Sequence, residues 1–259
     1  MGTVVSVVVA NLLVGACIGL TGIAGFLLPI FYVGALALAP TEALALSFAA
    51  FLVSGVLGTP AYRATGDLPV RETAWLAAGS LAGALVGVRV GLVLPASVLT
   101  ALLYVVVLCS GVSVLVRMRP RRSRDEADVP SQAGSALLPG WALAGIGAAT
   151  AVICAATGAG GPVLVVPILM LLGLSPRAAV GVGPADSVAI AVPSAVGYFL
   201  GGGVSAFAWS LLVPAVVGHG AGVLLGSLNA HRIDPSALKA IVAVGSVAVA
   251  LLKLVPMLL

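Results

Sequence analysis

Two helix-breaking clusters of nearly the same composition interrupt apolar sequence 136 residues apart, and no other feature restricts the fold of this chain as much. Cys17-Ile-Gly-Leu-Thr-Gly-Ile-Ala-Gly25 is echoed by Cys154-Ala-Ala-Thr-Gly-Ala-Gly-Gly161, which sets Thr21-Gly22 on Thr157-Gly158 (157 − 21 = 136). The register persists downstream: Pro40 falls on Pro176, Tyr62 on Tyr198 and Gly66 on Gly202, each 136 residues on. The chain is a duplication, and both copies must break their helices at the same place.

What surrounds the breaks follows from composition. With 61% hydrophobic and 8% charged residues and a mean hydropathy of +1.24, the chain lacks the polar residues to cover a water-soluble globule, so its solvent is a bilayer. Apolar runs cover about 3–37, 42–61, 73–94, 96–117, 137–173, 178–200, 206–228 and 235–257. They are continuous and not alternating, which excludes a β-barrel reading. The N-terminal run lacks a basic flank and is re-used at the start of the second copy, so it belongs to the fold and is no leader. Cys17, Cys109 and Cys154 are odd in number and lie in apolar sequence, which suits small buried hydrophobes and neither a disulfide framework nor a metal site. The net charge of +4 owes much to Arg117, Arg119, Arg121, Arg122 and Arg124 in one segment, an orientation signal and not a nucleic-acid surface.

The expected fold class is an all-α polytopic membrane protein made of an inverted repeat, with residues 1–116 as the first transmembrane repeat, 117–136 as a cytoplasmic linker and 137–259 as the second repeat. The inversion is argued from length and charge. The first and fifth runs, about 35 residues each, would be roughly 52 Å of helix, too long for one crossing of about 30 Å. Each is therefore expected to fold back at its Thr-Gly cluster in two short passes, giving about ten crossings with Pro29, Pro162 and Pro167 limiting the backbone beyond the breaks. Five crossings per half turn the second half upside down. With the linker inside, that arrangement puts Arg63, Arg71, Arg177, His231, Arg232 and Lys239 at cytoplasmic ends and both termini outside, as the positive-inside rule favours.

The clusters are also the leading site candidates. Thr21, Gly22 and Gly25, with Thr157, Gly158, Gly160 and Gly161, are expected to present free backbone N–H groups and hydroxyls at the starts of short helices, an anion site in low dielectric, and a side chain at 160 or 161 is expected to block it. Close helix packing is the competing reading. Asp186, deep in the sixth run within Gly183-Pro-Ala-Asp-Ser187, is costly to bury, so a coupling role through a proton or cation competes with a cap after Pro184, and Ser187 beside it joins the substrate set. Arg89 reads as an interfacial anchor or an anion attractor, and His219 as an interhelical histidine or a proton relay. Gly79, Gly83 and Gly87, matched by Gly218, Gly222 and Gly226, form small-residue packing ridges; Tyr62 and Tyr198, near span ends, read as interfacial belts. No catalytic motif, metal-ligand spacing or cofactor signature is present.

Gly19-Leu-Thr-Gly22-Ile-Ala-Gly25 with Pro29, and Thr157-Gly-Ala-Gly-Gly161 with Pro167, resemble the hallmark of the TauE/SafE sulfite exporter family, and the resemblance spans the whole chain. The first copy departs from that pattern, carrying Ile23-Ala24 where further glycines are usual. The resemblance implies export of sulfite, sulfoacetate or a related small oxyanion through the cytoplasmic (inner) membrane. A gradient-driven secondary transporter, no enzyme, without a cofactor, is thus expected. Its expected partners are the anion, the lipid bilayer and a coupling proton or sodium ion, with homo-oligomers possible. An anion channel or an intramembrane enzyme using Asp186 are the alternatives.

Overall fold

The computed structural model of the chain describes residues 2–21, 24–66, 68–117, 138–229 and 235–258, which form ten α-helices and no strand. They are α1 (Gly2–Thr21), α2 (Leu27–Ala35), α3 (Pro40–Ala64), α4 (Val70–Val93), α5 (Ala96–Arg117), α6 (Gly140–Thr157), α7 (Gly161–Leu171), α8 (Pro176–Gly201), α9 (Ala206–Leu228) and α10 (Pro235–Leu258). Among the described residues, seven helices are long and apolar enough to cross a membrane. Helix ends lie where local chemistry places them. Gly158 closes α6 in the left-handed conformation (φ 72°), Ser175 Oγ accepts from Ala178 N at 3.3 Å to start α8, and Ser205 Oγ accepts from Ala208 N at 3.2 Å to start α9.

The two halves exchange partners. α1 packs along α9 while its counterpart α6 packs along α4, the counterpart of α9. Small residues make both seams possible. Side chains at Gly79, Gly83 and Gly87 would run into the α6 backbone at Ala144, Ala148 and Val152, and at Gly218, Gly222 and Gly226 into α1 at Val8, Leu12 and Ala16. In hydrocarbon, where lipid is as apolar as leucine, such close approach is the main source of helix affinity. The glycine ridges are thus packing surfaces, as their spacing predicts.

Helix directions follow from the same contacts. Rising numbers pair with rising numbers between α4 and α6, α1 and α9, α4 and α8 (Ser80 with Asp186, Gly91 with Tyr198) and α3 and α9 (Glu42 with Ser205, Ser54 with His219). Between α3 and α8 they pair with falling numbers, Thr41 with Gly202, Phe48 with Tyr198 and Gly55 with Pro184. α1 is therefore parallel to α3, and α6 to α8, so the segments holding α2 and α7 carry the chain back. The long runs do fold back at the breaks.

Two expectations need correction. The long runs are not two short passes: α1 has 20 residues and α6 has 18, each a full span, whereas α2 has 9 and α7 has 11, helices of about 14 and 17 Å that cannot cross alone. Tyr198 is no interfacial tyrosine. It is fully buried, stacks on Phe48 at 6.2 Å and donates to the Ala155 carbonyl at 2.9 Å. Its nearness to a span end in sequence misleads because α3 and α6 cover it, whereas Tyr62 is half-buried. Gly22, Ile23, His231, Arg232 and residues 118–137, which hold nearly all of the expected linker, lie outside the described residues.

Candidate functional site

The second break is built by glycine. After Gly158 ends α6, Gly160 at φ 77° turns the chain into Gly161, the first residue of α7. Both values lie where a side chain is strained. The Gly158 amide bonds the Cys154 carbonyl at 2.8 Å, but the amides of Ala159, Gly160 and Gly161 donate to no backbone carbonyl among the described residues. Three N–H groups are thus aimed from the start of α7, where the helix dipole adds positive potential.

α8 faces Gly161 with Asp186 and Ser187. A Cβ at Gly161 would stand 2.8 Å from Asp186 Oδ2 and 3.2 Å from the Ser187 amide nitrogen, so the break is pressed directly on the acid. Asp186 is wholly buried; Ser80 Oγ of α4 donates to its Oδ1 at 2.5 Å, and its Oδ2 has no hydrogen-bond partner among the described residues. Buried Cys154, whose thiol contacts the Gly160 carbonyl at 3.4 Å, lies close by. An unpaired carboxylate oxygen in such a place is expensive. It can accept a proton or help hold a cation. The sequence-based alternative of a helix cap does not hold, because α8 runs unbroken from Pro176 to Gly201 through Pro184 and Asp186.

The first break turns in the same way, Leu27 N bonding Ala24 O at 3.2 Å as its counterpart Val163 N bonds Gly160 O at 3.4 Å, but it faces a different wall. Gly25 is covered by the Phe51 ring, which would stand 3.1 Å from a Cβ there. Phe51 is the repeat counterpart of Ser187 (187 − 136 = 51) as Gly25 is of Gly161 (161 − 136 = 25). The same backbone contact is thus made twice, once to a polar wall and once to an aromatic one. Phe51 also approaches Gly160 at 3.9 Å from its Cβ position, and Gly158 abuts Pro29 and Leu44, so the two breaks meet at α3.

The structure therefore brings together Gly25, Gly158, Gly160, Gly161, Asp186 and Ser187. Thr157 is buried there too, but its hydroxyl donates to the Ile153 carbonyl at 2.7 Å, so its hydrogen is spent within α6. Only the backbone of Thr21 is described, and Gly22 lies outside the described residues. Arg89 is exposed on α4, away from the breaks, as suits an anchor. His219 is fully buried and bonded to Ser54 at 2.8 Å between Nε2 and Oγ.

Sequence reasoning missed Ser80, Ser54, Phe51 and Glu42. Only two carried a signal. Phe51 could have been reached by stepping 136 residues back from Ser187, and Glu42 follows Pro40 at a helix start, where an acid caps. Glu42 Oε2 accepts from Ala39 N at 3.1 Å and Oε1 from Ser205 N at 3.0 Å, joining the start of α3 to the start of α9. Among the described residues no group of three or more histidine, cysteine, aspartate or glutamate side chains could hold a metal ion.

A family model described as sulfite exporter TauE/SafE matches residues 7–252, nearly the whole chain. No curated protein and no solved structure matches it.

Proposed function

The chain belongs to the TauE/SafE sulfite exporter family, and from that premise we propose that it is a secondary transporter moving a small sulfur oxyanion or organosulfonate, such as sulfite or sulfoacetate, across the cytoplasmic membrane by alternating access. Family and apolar helices together make it a multi-pass membrane transporter of the sulfur-anion exporter class. The observation that carries the finer reading is the apposition of Gly161, at the end of a turn whose amides at 159–161 bond no backbone carbonyl among the described residues, to Asp186. Amide dipoles hold an oxyanion without adding a full charge, so the anion can leave again. Asp186 would repel it unless neutralised. Loading of Asp186 with a proton or sodium ion therefore precedes or accompanies anion entry, and that order couples the two fluxes.

Alternating access is supported by two features. Counterpart helices α3 and α8 run antiparallel, the relation of inverted halves, in which one rocks against the other around a central site. The bundle is also fastened at one end and not symmetrically at the other. Glu42 ties α3 to Ser205, while their counterparts are Ala178 (178 − 136 = 42), without a carboxylate, and Pro69 (205 − 136 = 69), without an N–H. In the topology expected from the charges, the fastened end faces outside.

The test is thermal stabilisation of the purified protein by sulfite, sulfate, thiosulfate, sulfoacetate, taurine and acetate, followed by flux in proteoliposomes. A sulfur anion should stabilise by mass action and move in a saturable, gradient-driven way. No stabilisation by any sulfur anion, or flux proportional to concentration without saturation, would overturn the reading.

A further inference from the structure

The interfaces α4·α8 and α3·α9 are counterparts under the repeat, and each contains a buried titratable side chain held by a serine hydroxyl. In the first, Ser80 donates to Asp186. In the second, Ser54 bonds His219. Positions 186 and 80 map onto 50 and 216 (186 − 136 = 50; 80 + 136 = 216). Ser54 and His219 lie four and three residues beyond these, one helical turn along parallel helices. An acid and a base thus flank the breaks on opposite sides of the pseudo-two-fold.

Ser54 Oγ lies 2.8 Å from Nε2 and 3.3 Å from the Ala50 carbonyl, and either it or the ring nitrogen donates in the first contact, according to the tautomer. Nδ1 is fully buried and without a hydrogen-bond partner among the described residues. The groups placed against the ring are Ser54 and Phe51 from α3 and the Asn11 backbone from α1, none of them charged. The titratable group nearest in the network is the Tyr32 hydroxyl of α2, which accepts from Asn11 Nδ2 at 2.7 Å. Phe51 lies between the imidazole, 6.4 Å away by ring centroids, and the glycines of both breaks.

We propose that His219 with Ser54 is a second ion-linked site of the transporter, at which the imidazole takes up a proton from water when a small oxyanion occupies the breaks and returns it when the anion leaves. This rests on the oxyanion reading above and adds to it a positive charge on the side of the first break, where Phe51 stands in place of the polar wall of α8. An imidazolium behind Phe51 would supply attraction there. With Asp186 neutralised on one side and His219 charged on the other, the anion is no longer a lone charge in low dielectric.

The chain has two histidines, so His231→Gln leaves His219 as the sole one in the otherwise intact protein. Histidine carrying a ring carbon label, followed by NMR across pH 5 to 8 in nanodiscs, reports its protonation directly. The probes are no added anion, sulfite and sulfate, with thermal stabilisation measured in parallel. The expected result is a His219 midpoint raised by about one pH unit or more at saturating anion, tenfold in proton affinity, and an anion affinity that falls at high pH less steeply in His219→Gln than in the parent protein. A His219 ring that stays neutral throughout, or titrates identically while sulfite stabilises the protein, overturns this inference and leaves the transporter reading standing. A midpoint moved by sulfate and not by sulfite, with no sulfite stabilisation, upholds the site and removes sulfite as its ligand. Absence of any anion effect on either measurement removes both.

Discussion

At the scale of single residues the chemistry concentrates on Asp186 and the glycine pressed against it. Asp186→Asn keeps a carbonyl oxygen for Ser80 Oγ and mimics the neutral acid, so anion binding should persist, with the part of its pH dependence that Asp186 supplies removed, while concentrative transport is lost. Proteoliposome flux with and without a proton or sodium gradient tests this; full gradient-driven transport by the variant would remove Asp186 from coupling. Gly161 is packed closely on α8, in keeping with the packing that competes with anion binding as the reading of its cluster. Gly161→Ala sets a methyl group 2.8 Å from Asp186 Oδ2 and 3.2 Å from the Ser187 nitrogen, an overpacking that should cost about 1–3 kcal/mol. Gly145 in α6 has nothing within 4 Å of its Cβ position, so Gly145→Ala should be neutral or stabilising by up to about 1 kcal/mol. Thermal unfolding of the two variants side by side distinguishes a packed break from generic glycine sensitivity; equal melting temperatures would show that Gly161 has room after all.

At the scale of elements, the bundle depends on two matched seams and one fastening. The α4·α6 and α1·α9 seams both rest on glycines facing backbone. Gly83→Leu and Gly222→Leu should therefore impair assembly alike, which gel filtration of detergent-solubilised protein would reveal. The fastening at Glu42 is singular, with two amides on one carboxylate and no counterpart in the second half. Glu42→Ala leaves both amides unpaired and should cost about 1–3 kcal/mol. If this end works as a gate, the loss should also raise the labelling rate of a cysteine placed at Ser205. Unaltered labelling with lowered stability would make Glu42 a structural cap and no gate.

At the scale of the whole molecule the open quantity is orientation. The charges place residues 117–132 in the cytoplasm and both termini outside. An impermeant maleimide should thus fail to reach Ser123→Cys from outside intact cells while labelling a cysteine placed at Gly2. The reverse pattern would invert the molecule and put the Glu42 fastening on the cytoplasmic side. It would also exchange the roles of the two ends in transport, without altering the helix directions that follow from the contacts.

The sequence by itself determined the solvent, the duplication, the breaks and the helices, because each of these is a local property. Apolar length selects the bilayer, and glycine with proline stops a helix wherever it falls. The glycine ridges were legible for the same reason, since spacing alone brings small residues to one face. What surrounds Asp186 was not legible. Its serine lies 106 residues away on α4, and nothing in Ser80 or Ser54 distinguishes it from the serines that bond only their own helix, such as Ser47 and Ser110. Tyr198 was misplaced for a related reason. In hydrocarbon a helix face turned to lipid and one turned to protein are equally apolar, so burial leaves no mark on composition. Only the exchange of α1 and α6 between halves decided which faces meet, and with them which serine holds the acid, which holds the histidine, and which end Glu42 fastens.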